Sequence, residues 1–307
     1  MDRRMKPFDI QVNGYAGVDF CSAELNAGQL ETACRALSND GVDSILATVI
    51  TDSIERLCAK LRNLVQLRAG SSLAQKIIAG FHIEGPFLNP TPGYIGAHPP
   101  GAVCAAKVDD ARRLLDAGAG LTRLVTLAPE HDAQFETTRF LVNQNVTVAA
   151  GHCNPSLDQL KGAIENGLSM ITHFGNGCPT DLPRHDNFLQ RALYLREHLW
   201  FSFIPDGAHI ELFALKNYLD FVGIDRSIMV TDAISAATLG PGRYELSGMP
   251  VEVDEAGVAR KPGFRNLAGS TLTMPRIQQI LKEKLGLNEH HVERLVDLNP
   301  RKATKAV

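Results

Sequence analysis

The chain lacks the features that mark several large classes of protein. Its six cysteines form no C-x-x-C pair, which argues against a zinc ribbon and favours reduced thiols over a disulfide framework in a chain of 307 residues. No run approaches the roughly 18 apolar residues of a membrane span, and the first residues include no apolar segment typical of a secretory signal. We therefore expect a cytoplasmic protein with no membrane partner.

An excess of charge of one sign is also missing. The formal net charge is -3 and the basic residues are spread along the chain, which argues against a nucleic-acid partner. A small anionic substrate remains possible, because one or two cations suffice to bind it. The hydrophobic fraction of 44% and the charged fraction of 21% are typical of a globular protein that can bury a large core.

Short apolar runs alternate with longer amphipathic segments along the chain. Eight runs, rich in Val, Ile, Leu and Ala, are typical of strands buried on both faces of a parallel sheet. This alternation predicts an α/β fold, a closed (β/α)8 TIM barrel formed by one domain over residues 1–307. An open doubly wound sheet is the alternative, but the chain has no G-x-G-x-x-G phosphate loop. The runs are residues 8–13, 44–50, 76–83, 121–127, 146–151, 168–173, 199–205 and 227–231.

Capping signals delimit helices between these runs. Ser53 and Ser156 are candidate N-caps, the second in a capping-box pattern, and Gly41 is a candidate C-cap. Residues 240–267 interrupt the alternation, because YELSGMPVEV and GVARKP predict short strands around residues 254–257 and hence a β-hairpin after the eighth strand. Helices are predicted over residues 24–41, 53–70, 156–167, 209–223, 274–286 and 288–297.

Polar or ionisable residues cluster at the C-terminal ends of the predicted strands. Barrel enzymes build their active sites at that end, from side chains of several strands. The pattern therefore predicts one site at the mouth of the barrel. The residues are Gln11, Asn13, Thr48, Thr51, His82, Glu84, Glu130, His152, His173, Asp206, His209 and Asp232.

Four of these residues have the types and positions of a catalytic metal site. Glu84, His152 and His173 each lie at the end of a buried run, and a His2Glu set with an open position is a known catalytic zinc arrangement. Asp232 ends the last strand, beside the first, where it can exchange a proton with a reacting group. Each also has an ordinary explanation: a glutamate paired with a loop arginine, a core histidine, or an aspartate that caps the next turn.

Taken together, these motifs resemble the N-acetylglucosamine-6-phosphate deacetylases of the amidohydrolase superfamily. The matching segments occur in family order and span nearly the whole chain. They are DIQVNGYAGVDF (9–20), HIEGPFLNPTPGYIGAHPPG (82–101), LAPE (127–130), AAGHCNPS (149–156), THFGNGCP (172–179), DGAHI (206–210), VTDAISA (230–236), LAGSTLTM (267–274) and NPRKA (299–303).

The resemblance implies the reaction and its catalytic residues. It implies metal-dependent hydrolysis of the acetamide of N-acetylglucosamine 6-phosphate to glucosamine 6-phosphate and acetate. Glu84, His152 and His173 resemble the ligands of one divalent metal ion per subunit, zinc. Asp232 resembles the general base and acid, and His98 resembles the residue that helps the metal to polarise the acetyl carbonyl.

The resemblance also implies substrate contacts and an oligomer. Gln11, His209 and the backbone at Asn176 and Gly177 resemble contacts to the sugar phosphate. Arg184 lies at about the spacing at which the family has a phosphate-binding arginine from the neighbouring subunit. We therefore expect a homodimer with shared active sites. The small molecule that it binds is expected to be a phosphorylated amino sugar.

Three features depart from the wider superfamily. Gln11 and Asn13 stand where many amidohydrolases have H-x-H, as in the single-metal members of this family, which argues against a second metal. The segment FGNGCP (174–179) differs from many members and indicates a divergent subgroup. The family usually adds a small β-sandwich from both chain ends, and this sequence predicts the barrel and hairpin without it.

Two other functions remain open at this stage. One keeps the chemistry and changes the substrate to N-acetylgalactosamine 6-phosphate or another N-acylated amino-sugar phosphate. The other is a non-catalytic sugar-phosphate-binding protein with the same fold. The presence of Asp232 and of every predicted metal ligand favours catalysis.

Overall fold

A computed structural model describes residues 5–264 and 266–305, and its main feature is an eight-stranded parallel sheet. The strands in chain order are β1 (Phe8–Val12), β2 (Gly14–Tyr15), β3 (Val18–Asp19), β4 (Ser44–Ile50), β5 (Ile78–Glu84), β6 (Thr122–Leu127), β7 (Thr147–Ala150), β8 (Met170–Ile171), β9 (Trp200–Phe203), β10 (Ser227–Met229), β11 (Gly242–Leu246), β12 (Met249–Val253) and β13 (Ala259–Arg260). The large sheet pairs in the order β1-β4-β5-β6-β7-β8-β9-β10. Strands β1 and β4 are buried along their whole length, as expected of a parallel sheet covered on both faces.

The sheet closes into a barrel where the segment after β10 meets the end of β1. Val12 and Ala233 form a parallel bridge. The Asp232 N–H donates to the Gln11 carbonyl at 3.0 Å, and the Asn13 N–H donates to the Ala233 carbonyl at 2.8 Å. The predicted (β/α)8 barrel is therefore confirmed, and its closure brings together residues 11–13 and 232–233, which are far apart in the sequence.

Amphipathic helices follow the strands. Ser53 and Ser156 act as the predicted N-caps, and Ser156 forms the capping box. Gly41 lies just past the C-cap of the first helix with φ +77°, a conformation that glycine adopts without strain. The helices are α1 (Ala27–Asn39), α2 (Ile54–Ala69), α3 (Ser72–Ile77), α4 (Val108–Ala117), α5 (Glu136–Asn143), α6 (Leu157–Glu165), α7 (Phe188–Tyr194), α8 (Leu212–Val222), α9 (Met274–Glu283), α10 (Glu289–Glu293) and α11 (Asn299–Ala303).

Some predicted boundaries are wrong for identifiable reasons. Residues 76–77, predicted as strand, end helix α3, whose start is capped by the Ser71 hydroxyl. The helix predicted from residue 209 begins at Leu212, because Asp206 accepts hydrogen bonds from the N–H groups of Ala208 and His209 and forms a turn there. The last predicted helix, 288–297, is α10 followed by a π-helical turn over Arg294–Leu298.

The excursion after the barrel is a three-stranded antiparallel sheet within the predicted residues 240–267. YELSGMPVEV, predicted as one strand, folds back at Ser247 and Gly248, so that Leu246 pairs with Met249. Both turn residues have positive φ, +51° and +78°, as a two-residue hairpin turn requires. The predicted turn at residues 254–257 is present as well, between β12 and β13.

The apolar interior is continuous through the barrel and its helices. Nearly all of the buried hydrophobic residues form one cluster, whose members run in sequence from Phe8 to Ala303. The assignment of residues 1–307 to one domain stays a prediction. Within the described part of the chain, no helix combines the length and apolar character needed to cross a membrane.

Candidate active site

Four of the predicted site residues lie at the C-terminal ends of barrel strands. Glu84 is the last residue of β5, His152 and His173 follow β7 and β8 by two residues, and Asp232 follows β10 by three. His152, His173 and Asp232 have positive φ values of +51°, +33° and +49°, a region that non-glycine residues rarely adopt. Backbone strain of this kind clusters at functional sites, and here it occurs at three candidate residues.

The predicted metal ligands converge on one point. His173 Nε2 lies 2.8 Å and His152 Nε2 lies 3.3 Å from Glu84 Oε1, and the two Nε2 atoms are 3.1 Å apart. Ligands bound at about 2.0–2.2 Å to one tetrahedral ion are separated by about 3.4 Å. All three side chains are buried, so the cluster fits a divalent cation in both ligand type and spacing.

His98 completes this cluster from the loop after β5. Its Nε2 lies 4.0 Å from Glu84 Oε1, and ligand atoms of Glu84, His98 and His152 all lie within 4.8 Å of one another. The other ring nitrogen, Nδ1, lies 2.9 Å from the Thr51 hydroxyl. Burial lowers the pKa of His98 to about 3, with a further contribution from His152, so the ring is neutral near pH 7.

Neighbouring groups fix the orientation of the predicted ligands. Gln11 Nε2 donates to Glu84 Oε2 at 3.1 Å, which leaves Oε1 for the cluster. His152 Nδ1 donates to the Tyr94 carbonyl at 2.8 Å, so the ring is held with Nε2 directed at Glu84 and His173. Gln11, predicted to contact substrate, is buried behind Glu84 and does not line the cavity described below, so its contact with substrate stays a prediction.

The charge state of the cluster follows from its contacts. Burial raises the pKa of Glu84, but the hydrogen bonds from His152 and His173 lower it more, to well below its usual range. Burial lowers the pKa of His173, but the hydrogen bond and charge of Glu84 raise it overall. Glu84 is therefore an anion that attracts positive charge to this point, whether a proton on His173 or a cation.

Asp232 faces the same cavity and is tied to β1. Asn13 Nδ2 donates to Asp232 Oδ1 at 2.7 Å, and both side chains are buried. Burial, followed by the negative charge of Glu84, raises the pKa of Asp232 to about 6. A carboxylate with a pKa close to the working pH can both accept and return a proton.

The cavity above these residues has a volume of about 790 Å³, enough for a sugar phosphate. Asn176, Gly177 and His209, which were predicted to contact substrate, line this cavity. Asn176 Nδ2 is buried and has no partner among the described residues, so it is a free donor. His209 Nδ1 lies 2.6 Å from Asp206 Oδ2, and this contact lowers the pKa of Asp206 despite its burial.

Gly177 has a second role besides lining the cavity. A Cβ atom on Gly177 would lie 2.8 Å from His152 Nδ1, and one on Gly96 would lie 2.9 Å from His152 Cε1. The His152 ring therefore fits between two positions that have no side chain. Arg184, in contrast, is exposed and does not line the cavity of its own chain, so its contribution to a neighbouring subunit stays a prediction.

Sequence reasoning did not assign roles to several residues that the structure brings to the site. Asn13, Thr51 and Asp206 were polar residues at strand ends without an assigned partner, and they contact Asp232, His98 and His209 respectively. Their position at strand ends was the available signal. Tyr94 contributes a backbone carbonyl, for which the sequence has no signal. Glu130 accepts a hydrogen bond from Asn89 and does not line the cavity.

No protein-family model matches the chain. An N-acetylgalactosamine-6-phosphate deacetylase from Escherichia coli O157:H7 is 29% identical over 293 residues, which cover 95% of this chain and 75% of that protein. An N-acetylglucosamine-6-phosphate deacetylase from Bacillus subtilis (strain 168) is 31% identical over 268 residues, 87% of this chain and 66% of the relative. The enzyme of the same name from Bos taurus is 29% identical and aligns with 96% of this chain and 75% of its own length.

Solved structures give the same result. The N-acetyl-D-glucosamine-6-phosphate deacetylase of Mycobacterium smegmatis, determined as a mutant in complex with N-acetyl-D-glucosamine-6-phosphate, superposes with a TM-score of 0.89 at 29% identity. The match covers 98% of this chain and 77% of that chain. A Thermotoga maritima enzyme of the same name, with a TM-score of 0.85 and 23% identity, supports the fold.

Proposed function

Because this chain belongs to the N-acetylglucosamine-6-phosphate deacetylase family, we propose that it hydrolyses the acetamide of N-acetylglucosamine 6-phosphate to glucosamine 6-phosphate and acetate. The observation that supports this most directly is the convergence of Glu84, His152 and His173 within 2.8–3.3 Å, with Asp232 in the same cavity. These residues supply the ligand types and the proton acceptor that metal-assisted amide hydrolysis uses.

We propose that Glu84, His152 and His173 bind one divalent cation, zinc. The two neutral-nitrogen donors and one carboxylate are the set that catalytic zinc sites use, and their orientation is held by Tyr94 and Gln11. When bound, the cation polarises the acetyl carbonyl and makes hydroxide available near neutral pH. The ligand geometry is already close to what such an ion needs, so little rearrangement is required on binding.

Asp232 is proposed as the group that moves the proton. The hydrogen bond from Asn13 engages Oδ1 and leaves Oδ2 for the reaction. Asp232 accepts a proton from the attacking water and then donates it to the departing amine nitrogen, since an amine leaves only when protonated. Its raised pKa, about 6, suits both steps.

His98 is proposed to stabilise the negative charge that develops on the carbonyl oxygen. The single Thr51 hydroxyl proton has two acceptors within reach, His98 Nδ1 at 2.9 Å and the Glu84 carbonyl at 3.3 Å, and only donation to Nδ1 puts the proton of the neutral His98 ring on Nε2, which faces the cluster. A donor directed at such an oxygen contributes about 3–4 kcal/mol in comparable sites. Thr51 thereby acts as a positioning residue for His98.

The opposite side of the cavity is proposed to bind the sugar phosphate. His209, held by Asp206, and the Asn176 amide supply hydrogen-bond donors there. Arg184 is proposed to bind the phosphate of a neighbouring subunit in a homodimer, because a guanidinium suits bidentate binding of phosphate. The six free cysteines suit a reducing compartment, and we propose a cytoplasmic enzyme.

A second candidate substrate is the galactose epimer, because the Escherichia coli relative is a deacetylase of N-acetylgalactosamine 6-phosphate. The test is acetate release by the metal-loaded protein from the two 6-phosphates, with unphosphorylated N-acetylglucosamine as the control. We expect the highest kcat/KM for N-acetylglucosamine 6-phosphate and a large loss without the phosphate. Binding of both phosphates without acetate release would identify a non-catalytic relative.

A further inference from the structure

The arrangement of strands around the barrel fixes which side of the cavity faces each end of the substrate. The proposed sugar-phosphate residues, Asn176 and His209, follow β8 and β9, while the metal cluster and Asp232 lie at the centre. In an N-acyl amino sugar, the acyl chain and the sugar lie on opposite sides of the amide bond. The acyl chain therefore points away from β8 and β9, toward the ends of β4 and β5, which lie opposite them in the strand order of the barrel.

Two aliphatic side chains line the cavity on that side. Ile50 pairs in register with Glu84 across β4 and β5, so their side chains leave the same face of the sheet and are neighbours. Leu246 comes from the end of β11 in the hairpin excursion. Both line the active-site cavity, and they are 4% exposed each.

A second cavity lies directly behind these two side chains. Its volume is about 800 Å³, and it is lined by Thr51, Glu245 and Ser247, the chain neighbours of Ile50 and Leu246. Successive residues of the same two segments therefore face different cavities. The partition between the two cavities, formed by Ile50 and Leu246, is about one side chain thick. His98 and Pro99 show the same division, with His98 toward the active site.

The partition is anchored on both sides of Leu246. The Ser247 N–H donates to Asp19 Oδ2 at 2.6 Å, and Lys60 Nζ donates to the Ser247 hydroxyl at 3.0 Å. On the other side, the Ser235 hydroxyl donates to the Glu245 carbonyl at 2.8 Å. The two chain neighbours of Leu246 are therefore both hydrogen-bonded to the barrel side of the structure.

We propose that Ile50 and Leu246 form an acyl-length wall that restricts this enzyme to short N-acyl groups, acetyl in particular, and separates the acyl end from the second cavity. This specificity role rests on the proposed deacetylase function. It follows that shortening Leu246 opens the second cavity to longer acyl chains, such as propionyl and butyryl, without any change in the metal cluster.

The test compares kcat/KM for the N-acetyl, N-propionyl and N-butyryl derivatives of glucosamine 6-phosphate, using metal-loaded wild-type protein and Leu246→Ala. The second cavity is polar, with Asp19, Asp52 and Lys60 in its lining, so the expected effect comes from relief of the clash with the apolar wall, where one methylene group changes kcat/KM by about 10–200-fold. We expect the butyryl-to-acetyl ratio to rise at least about tenfold in Leu246→Ala. Leu246→Val and Ile50→Val should give smaller rises in this ratio. They replace Leu246→Ala as the test if that variant does not fold.

Met249→Ala is the matched control. Met249 pairs with Leu246 in the hairpin but lines only the second cavity, so its truncation enlarges that cavity and leaves the wall intact. The butyryl-to-acetyl ratio of kcat/KM in Met249→Ala should equal that of the wild type. Acetate release by the wild type with unchanged ratios in every Leu246 and Ile50 variant would overturn the wall alone. Absence of acetate release by the wild type would overturn the proposed function and the wall with it.

Discussion

Asn13 and Asp232, which are 219 positions apart, are joined by a 2.7 Å hydrogen bond from the Asn13 amide to Asp232 Oδ1. The bond crosses the seam where the barrel closes. The backbone supports it, because the Asp232 N–H donates to the Gln11 carbonyl and the Asp232 carbonyl accepts from Ser270. The same hydrogen bonds that close the barrel therefore also orient the carboxylate of Asp232, the proposed catalytic group.

Loss of the Asn13 donor should reduce turnover more than substrate binding. A hydrogen bond to a charged group contributes about 1.5–3 kcal/mol, so we expect Asn13→Ala to lower kcat by about 10–100-fold with a small change in KM. Asn13→Asp, which has the same size and no amide donor, should be slower still because two carboxylates then meet. Steady-state kinetics measure both, and a change confined to KM would contradict the orienting role.

Asp232→Asn should separate chemistry from metal binding. The substitution removes the proton acceptor and keeps the shape, so kcat should fall at least about a hundredfold while the metal content stays at the wild-type level. Acetate release and elemental analysis of the same preparation provide the two readouts. Near-normal turnover in this variant would remove Asp232 from the mechanism.

Gly177→Ala should weaken metal binding through His152. The added Cβ would lie 2.8 Å from His152 Nδ1, at a residue with φ +62°, so the imidazole must move. Disturbing the support of a metal-binding histidine reduces metal affinity by about 10–100-fold. Gly175→Ala is the control, because Gly175 also has positive φ, +93°, but its Cβ would meet nothing within 4 Å. Competition with a chelator measures the metal affinity of both variants. Equal losses of affinity would mean that backbone strain, and not displacement of His152, causes the effect.

Asp9 should make stability depend on pH. Burial raises the pKa of Asp9 to about 7, although the Thr231 hydroxyl lowers it in part. Between pH 4 and 7 the folded chain keeps this proton and the unfolded chain has released it, so the free energy of unfolding falls as pH rises through that window.

Asp9→Asn cannot titrate and should flatten this dependence. The difference between the unfolding free energies of the two proteins should change by up to about 4 kcal/mol across the window, measured by urea denaturation. Asp158→Asn, at a side chain that is 95% exposed, controls for the removal of a carboxylate. If the free energies of unfolding of wild type and Asp9→Asn change in parallel between pH 4 and 7, Asp9 is ionised over that whole range and the prediction is wrong.

The fold could be predicted from the sequence because buried parallel strands have a simple pattern. SILATVI was predicted to the residue, as β4 over Ser44–Ile50. The run at 168–173 shortens to Met170–Ile171, because the chain leaves the strand to give His173 its positive φ. The fold-back at Ser247 and Gly248 was missed although a Ser-Gly pair is a turn signal, because the apolar and β-branched residues around it were assigned to one strand.

The site could be predicted only in part. Glu84, His152 and His173 combine a diagnostic residue type with a position at a strand end, and the structure brings them together. Asn13 could not be assigned to Asp232 without knowing how the barrel closes, and a carbonyl such as that of Tyr94 leaves no mark in the sequence. The boundary between the two cavities depends on the hairpin, whose docking on the barrel is a tertiary feature.

The most direct measurement is a titration of chelator-treated protein with zinc, in which bound metal and acetate release from N-acetylglucosamine 6-phosphate are followed in the same samples. Our account predicts that activity is absent at first, rises with bound zinc and levels off at one ion per chain, and that Glu84→Gln binds zinc far more weakly. Full activity of the stripped protein, or a wild-type titration curve in Glu84→Gln, would contradict it.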